Sequence, residues 1–502
     1  MKYLVSSEEM KRYDRNTIEE IGIPALALME RAALAALQRC QGHMDSCCSE
    51  ERTALILAGC GNNGGDGLAL ARLLSEMNVS VEIWSVGKED KATESWKAQK
   101  NILNHYPVKY STKPMLNEYT IVVDALFGVG ISREITGCYR EALEVFGQIK
   151  GWKLALDLPS GIDADTGRIW GIAPIVDETV TFGFCKRGLV LYPGCEYAGK
   201  ITTAEIGISK TAFLGKEPGW FAYDEEIKEL LPKRERSGNK GTFGKVLLIV
   251  GSKNMAGAAV LAAKASYRTG AGMVKIVTPE ENRIILQQTV PEALLETGQN
   301  IVKDMNEWAD VIVIGPGIGK DERAICLLRQ AVENSMLPIV IDADGLNLLA
   351  EHSELTDFLQ YQEPGKRKMI LTPHMGELSR LTGIPVQELK DNTAGYAEKL
   401  AERLHAVVAA KDARTFVCRE MGSTCVNLTG NNGMATAGSG DVLSGIIGGL
   451  LAQGMEPFEA ASVGVYLHGM AGDRVSAEIG EYSCMAGDIW RSIECIKGED
   501  ER

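Results

Sequence analysis

Three stretches in the first half of the chain carry side chains suited to holding a small anionic ligand. The first is Ala58-Gly59-Cys60-Gly61-Asn62-Asn63-Gly64-Gly65-Asp66-Gly67, with five glycines in nine residues. Glycines let a backbone turn tightly and approach a ligand, and a following helix N-terminus offers unpaired N–H groups to an anion. Spacing alone also fits a plain strand-to-helix turn. Asn62, Asn63 and Asp66 tip the balance, because such a turn rarely needs three polar groups between its glycines. The second stretch, Val122-Val123-Asp124-Ala125-Leu126-Phe127-Gly128, sets a carboxylate at a strand end, followed by Val129, Gly130 and Arg133. The third, Leu156-Asp157-Leu158-Pro159-Ser160-Gly161-Ile162-Asp163, repeats the pattern. Any one Asp could be a helix cap. Three such strand ends should instead converge, since ligands of open α/β sheets collect at the carboxyl ends of strands.

A different constellation lies near the C-terminus, from Asn432 through Gly438-Ser439-Gly440-Asp441 to Gly445. Small residues lead into an apolar helix with Asp441 in its first turn. Backbone N–H groups there can form an anion hole for a transferring phosphoryl group, with Asp441 beside it as base. The plainer reading makes Asp441 a helix N-cap, for which Gly438-Ser439-Gly440 is an unusually open approach. His374 follows Thr372-Pro373 at a strand end and precedes Gly376-Glu377, which favours a ligand-facing loop over a locally satisfied imidazole. Asp342 and Asp344, after Ile339–Ile341, read equally as cation organisers or loop caps.

The elements that must position these residues are legible as alternation. Ser6 or Ser7 with the acids after it reads as an N-cap, opening a helix that ends near Gly22. A second helix, Ala25 to about Cys40, has little polar face and should be well buried. Strand-like runs follow at Ala54–Ala58, Val79–Val86, Thr120–Val123 and Lys153–Leu156, with a helix predicted over Leu68–Glu76. A second series runs through Val246–Val250, Val274–Thr278, Val311–Ile314, Ile339–Ile341 and Met369–Leu371. Short apolar runs separated by helices specify parallel sheets. Residues 209 to 240 read as a connector containing an acidic helix. The expectation is therefore an α/β protein of two tandem domains, over 1–215 and 225–502.

The 502 residues suit two or three hydrophobic cores. A net charge of −14 argues against a broad nucleic-acid surface but not against phosphorylated ligands held by local N–H groups. The twelve cysteines include no C-x-x-C pair, and the adjacent Cys47 and Cys48 suit neither a common bridge nor a zinc site. A reducing, cytoplasmic setting is expected. No apolar leader core and no run of about 18 uncharged apolar residues occurs, so no membrane span is expected. Ala- and Gly-rich helices near Ala256–Gly272 and Leu443–Leu451 suggest close packing, and a homo-oligomer is expected.

On the residues GCGNNGGDG, VDALFGVGISREITG and LDLPSGIDADTG, the first half resembles the NAD(P)HX epimerase domain, a Rossmann-like αβα sandwich. The resemblance implies that Asn62, Asn63, Gly64, Gly65, Asp66, Gly128, Val129, Gly130, Ile131, Ser132, Arg133, Glu134 and Asp157 bind the hydrated dinucleotide. It implies potassium on Asn63, Asp124 and Ser160, an all-oxygen set suited to a large hard cation. It suggests Asp157 as the acid/base group for inversion at C6.

The second half carries KGTFGKVLLIVGS, IGPGIG, DADGLN, LTPHMGELSRLTG and the Gly438–Asp441 loop. It resembles ribokinase-like kinases and, more closely, the ADP-dependent NAD(P)H-hydrate dehydratase domain, also an αβα sandwich. By that likeness Ala258, Gly317, His374 and Asp441 contact the hydrate, while Lys411, Asp412, Ala413, Arg414, Thr415 and Gly440 hold the adenylate portion of ADP. Mg²⁺ is expected to bridge the phosphates, as in most phosphoryl transfer, with no motif fixing its ligands. Asp412 stands where the family usually has Gly, which adds charge beside the proposed diphosphate. Together the resemblances imply a bifunctional repair enzyme acting on NADHX and NADPHX. The alternative is a ribokinase-like vitamin kinase fused to a nucleotide- or RNA-binding domain.

Overall fold

The computed structural model describes residues 1–47, 52–115, 117–363 and 365–493. Cys48 lies outside the described residues. Two compact units emerge, one from Lys2 to Gly219 and one from Trp220 onward together with Met1.

In the first unit seven parallel strands form one sheet: β1 (Thr53–Ala58), β2 (Ser80–Ser85), β3 (Lys109–Ser111), β4 (Glu118–Ala125), β5 (Lys150–Leu156), β6 (Glu178–Phe182) and β7 (Lys200–Ala204). Their order is β3-β2-β1-β4-β5-β6-β7, so the chain reverses direction across the sheet between β1 and β4. That switch point opens a crevice at the strand ends. Both faces are covered. Ala54, Ile56 and Ala58 belong to one core and the alternate Leu55 and Leu57 to the other, as the period of two demands.

Helix α1 (Ser7–Arg15) opens with a capping box in which Ser6 and Glu9 exchange backbone bonds. Helix α2 (Ala25–Ser46) is longer than expected and less buried, with Leu26 42% and Leu34 43% exposed. Helix α3 (Asn62–Glu76) departs most from the sequence reading, because it begins inside the glycine-rich stretch rather than at Leu68. The reason is close approach. A Cβ on Gly64 would lie 1.9 Å from the Gly59 carbonyl oxygen, and one on Gly67 2.6 Å from Ala125 Cβ.

The second unit repeats the plan. Strands β8 (Lys245–Ile249), β9 (Met273–Val277), β10 (Leu294–Glu296), β11 (Val311–Ile314), β12 (Ile339–Ile341), β13 (Met369–Leu371) and β14 (Val407–Ala410) are parallel, in the order β10-β9-β8-β11-β12-β13-β14. Antiparallel β15 (Phe416–Cys418) and β16 (Thr424–Val426) extend it. The expected connector contributes a short strand, Trp220–Ala222, beside β16, and its acidic segment Glu225–Leu230 is a 3₁₀ turn. Helices α4 (Ala256–Arg268) and α5 (Ser439–Ala452) are the Ala- and Gly-rich pair, and their close packing is internal to the unit. A Cβ on Gly445 would lie 2.2 Å from the Ala262 carbonyl oxygen, and Ser266 Oγ donates to the Gly445 carbonyl at 3.0 Å.

Among the described residues no helix is long and apolar enough to cross a membrane. Ten cysteines there are free thiols.

Candidate active sites

The crevice of the first unit has a volume of about 1630 Å³ and is walled by the α3 N-terminus, the loops after β1, β2, β4 and β5, and one face of α1. Asn62, Asn63, Asp66, Asp157 and all seven residues from Gly128 to Glu134 line it. The sequence-predicted substrate set is therefore brought together, apart from Gly64 and Gly65, which are buried in the helix behind it.

Beside this crevice Asp124, Ser160 and Asn63 meet. Ser160 donates from its N–H to Asp124 Oδ2 at 2.7 Å and from Oγ to Oδ1 at 2.6 Å. Asn63 donates Nδ2–H to the Phe127 carbonyl at 2.8 Å, and its own Oδ1 is buried without a hydrogen-bond donor. Burial pushes the Asp124 carboxyl up to about 6, although the bonds from Ser160 and Leu126 pull the other way. Among the described residues no three His, Cys, Asp or Glu side chains form a metal cage.

Asp157 sits at the end of β5 with φ +66°, a left-handed backbone that costs a non-glycine residue energy and clusters at functional sites. Its Oδ1 is 2.5 Å from the Lys186 ammonium, which is 1% exposed and also donates to Thr181 Oγ1 and the Phe182 carbonyl. Its Oδ2 faces Gly128, where a Cβ would stand 3.1 Å away. Sequence reasoning missed Lys186 and also Asp14, which lines the crevice from α1. Lys186 follows Phe184-Cys185 with no spacing that marks it. Asp14 carries a faint signal, as an acid next to the buried Tyr13 of a helix stripe.

In the second unit the strand-end loops after β11, β12, β13 and β14 meet the α5 N-terminus. Asp342, 1% exposed, accepts from Lys411 Nζ at 2.7 Å and from Ser444 Oγ at 2.6 Å. The same ammonium lies 3.4 Å from where a Gly440 Cβ would be. Burial, then the carboxylate of Asp342, pushes Asp441 up to about 7, against the pull of Lys411. Asp344 Oδ2 caps the Gly319 N–H at 2.9 Å, and Gly317 packs on Ala258. Of the two readings held open, Asp344 is a loop cap and Asp342 anchors a lysine.

His374 acts as the N-cap of Met375–Thr382, its Nδ1 accepting from the Gly376 N–H at 2.9 Å, with Nε2 3.1 Å from Glu377. A β-bridge from His374 to Lys411 still holds it at the site's edge. Asp412 turns its charge onto its own loop, accepting from the Ala413 N–H at 2.9 Å. Arg414 reaches the Leu428 carbonyl at 3.5 Å, and the Thr415 carbonyl pairs with the Asn427 N–H. His468, on α6 (Pro457–Ile479), was missed: its Nε2 is 3.2 Å from Ser439 Oγ in the Gly438–Asp441 loop. Burial, then the nearby Lys411 charge, lowers this imidazole to about 4, so it is neutral.

Two doubly wound sheets, each with carboxylates and glycines at its switch point, define a two-domain α/β enzyme whose second half is ribokinase-like. Residues 246–494 match the family model described as NAD(P)H-hydrate dehydratase, and residues 25–188 that described as YjeF-related protein N-terminus. The bifunctional NAD(P)H-hydrate repair enzyme of Moorella thermoacetica is 34% identical over 97% of this chain and 95% of its own. That of Coxiella burnetii is 36% identical over 99% of each. The chain belongs to the bifunctional NAD(P)H-hydrate repair enzyme family. Among solved structures, the ADP/ATP-dependent NAD(P)H-hydrate dehydratase from Bacillus subtilis, co-crystallised with ATP/Mg²⁺, is 31% identical. It covers 55% of this chain and 96% of that one, with a TM-score of 0.50.

Proposed function

We propose that the first unit epimerises NADHX and NADPHX at C6 and that the second dehydrates the S epimer to NADH or NADPH, consuming ADP and releasing AMP and phosphate. One observation carries the reading. Asp157 lines one switch-point crevice and Asp441 stands at a helix N-terminus of the other unit, which supports one activity in each half of the chain.

In the first unit Lys186, Thr181 and the Phe182 N–H hold one carboxylate oxygen of Asp157, leaving the other for the substrate. A potassium ion fits the buried donor set of Asn63 Oδ1, Asp124, Ser160 Oγ and the Phe127 carbonyl, because Asn63 Oδ1 has no other partner. When bound, it supplies fixed positive charge beside the crevice.

In the second unit Asp441 takes the proton of the C6 hydroxyl, and that oxygen attacks the β-phosphorus of ADP as AMP departs. Lys411 and the N–H groups of Gly438–Asp441 hold the phosphoryl oxygens, with Asp412, Ala413, Arg414 and Thr415 toward the adenylate. The ring nitrogen's lone pair then expels phosphate, and loss of a C5 proton restores the dihydropyridine. Mg²⁺ would enter on the nucleotide's phosphates and neutralise their charge.

Product analysis tests this reading. Incubation with ADP, Mg²⁺ and NADHX is expected to yield AMP, inorganic phosphate and NADH in equal amounts. A stable phosphoester without phosphate release would replace the dehydratase with a small-molecule kinase.

A further inference from the structure

Asp66 and Asp14 are carboxylates that the reading above leaves unused. Asp66 projects from the second turn of α3 and Asp14 from α1, and both line the crevice that holds Asp157. Neither side chain makes a hydrogen bond or ion pair among the described residues, whereas Asp157 is held by Lys186. Lys186 is already committed to three acceptors, and the other cations lining the crevice, Lys11, Lys88, Lys91, Lys113 and Arg133, are exposed to solvent. Three carboxylates therefore share this crevice with one committed ammonium, and like charges brought together raise the cost of ionising a neighbouring carboxyl. The same wall contains the buried, unpartnered Asn63 Oδ1, which marks it as built for a ligand.

We propose, resting on the epimerase reading, that Asp66 is a second catalytic residue of the first unit, the acid that works against Asp157 as base. Burial and then the charges of Asp157 and Asp14 push the Asp66 carboxyl well above the usual range, with Lys186 opposing, the direction a general acid requires. Asp14 is raised as well, by burial and by Asp157, against the pull of Lys186.

The chemistry that this pair supports is reversible ring opening. Asp157 takes the proton of the C6 hydroxyl, the C6–O bond becomes a carbonyl, and the C6–N1 bond breaks with its electron pair passing to N1. Asp66 delivers its proton to N1. Rotation about C5–C6 presents the other face of the aldehyde. Asp66 then removes the N1 proton, N1 adds to C6, and Asp157 returns its proton to the oxygen. No oxidant, nucleotide or added water takes part, and both carboxyl groups end as they began.

The test uses the full-length protein and single epimers of NADHX labelled with ¹⁸O at C6, with nucleotide omitted. Wild type is expected to epimerise with retention of label and to lose rate as pH rises, because Asp66 must be protonated. Asp66→Asn is expected to lose at least 100-fold in epimerisation while its dehydratase rate on the S epimer is unchanged. Asp14→Asn removes a like charge from Asp66, so the alkaline fall should move to lower pH, a readout that survives if Asp66→Asn does not fold. Label exchanged with solvent at each turnover, full activity in Asp66→Asn, or an alkaline limb unmoved by Asp14→Asn would each overturn the proposal. Wild type that fails to epimerise at all would instead remove the reading on which it rests.

Discussion

Lys411 Nζ stands 2.7 Å from Asp342 Oδ1, joining the ends of two strands that have β13 between them in the sheet. Asp342 is 1% exposed, so the pair fixes the ammonium beside Gly440. Removing one partner of a buried pair leaves an uncompensated charge, a loss of about 3–5 kcal/mol. Lys411→Met is therefore expected to lower the denaturation midpoint of the second unit and to abolish dehydration. Adding Asp342→Asn should restore much of the stability and none of the activity, as equilibrium urea unfolding paired with rate measurement will show.

As the proposed base, Asp441 would make the dehydratase dependent on pH. Its carboxyl is raised to about 7 and must be ionised to take the hydroxyl proton, so the rate should fall as pH drops through 7. Asp441→Asn should cost about 10²- to 10⁴-fold in rate. The stability consequence has the opposite sense. Ionisation is harder in the folded chain than in the unfolded one, so stability is lost as pH rises from the ordinary carboxyl range to about 7. Asp441→Asn should raise Tm at pH 8 and leave it nearly unchanged near pH 4.

Removal of potassium should separate the two activities. In choline or lithium buffer, epimerisation should fall at least tenfold while dehydration of pure S epimer continues. Asn63→Ala deletes the unpartnered Oδ1 and should lose the response to potassium altogether. A potassium titration of both rates in wild type and variant checks this.

Gly64 offers a purely structural test. A methyl there would collide with the Gly59 carbonyl oxygen, which is backbone and cannot swing aside. Gly64→Ala should destabilise the first unit by about 3 kcal/mol and leave dehydration intact. Calorimetry would show one transition shifted and the other unmoved.

The sequence made the frame of both units readable because parallel strands buried on both faces are unbroken apolar runs, as in Ala54–Ala58 and Ile339–Ile341. Strand ends bearing Asp124, Asp157 and Asp342 could be found for the same reason. Shorter or polar-flanked strands escaped, including Lys200–Ala204 and Thr424–Val426, because pairing rather than composition makes them strands. The α3 start was misplaced because glycine propensity argues for a loop, while the sheet demands glycine inside the helix. Lys186 and His468 were invisible for a different reason. Their importance lies in Asp157 and Ser439, 29 residues away in each case, and no local pattern records such a contact.

The most direct measurement mixes purified protein with ADP, Mg²⁺, K⁺ and both NADHX epimers, following the return of reduced-nicotinamide absorbance and the release of phosphate. Conversion of the whole mixture, faster than spontaneous epimerisation and with one phosphate per NADH, is the predicted result. Recovery that stops once the S epimer is spent, then creeps at the spontaneous rate, would contradict a first unit that epimerises.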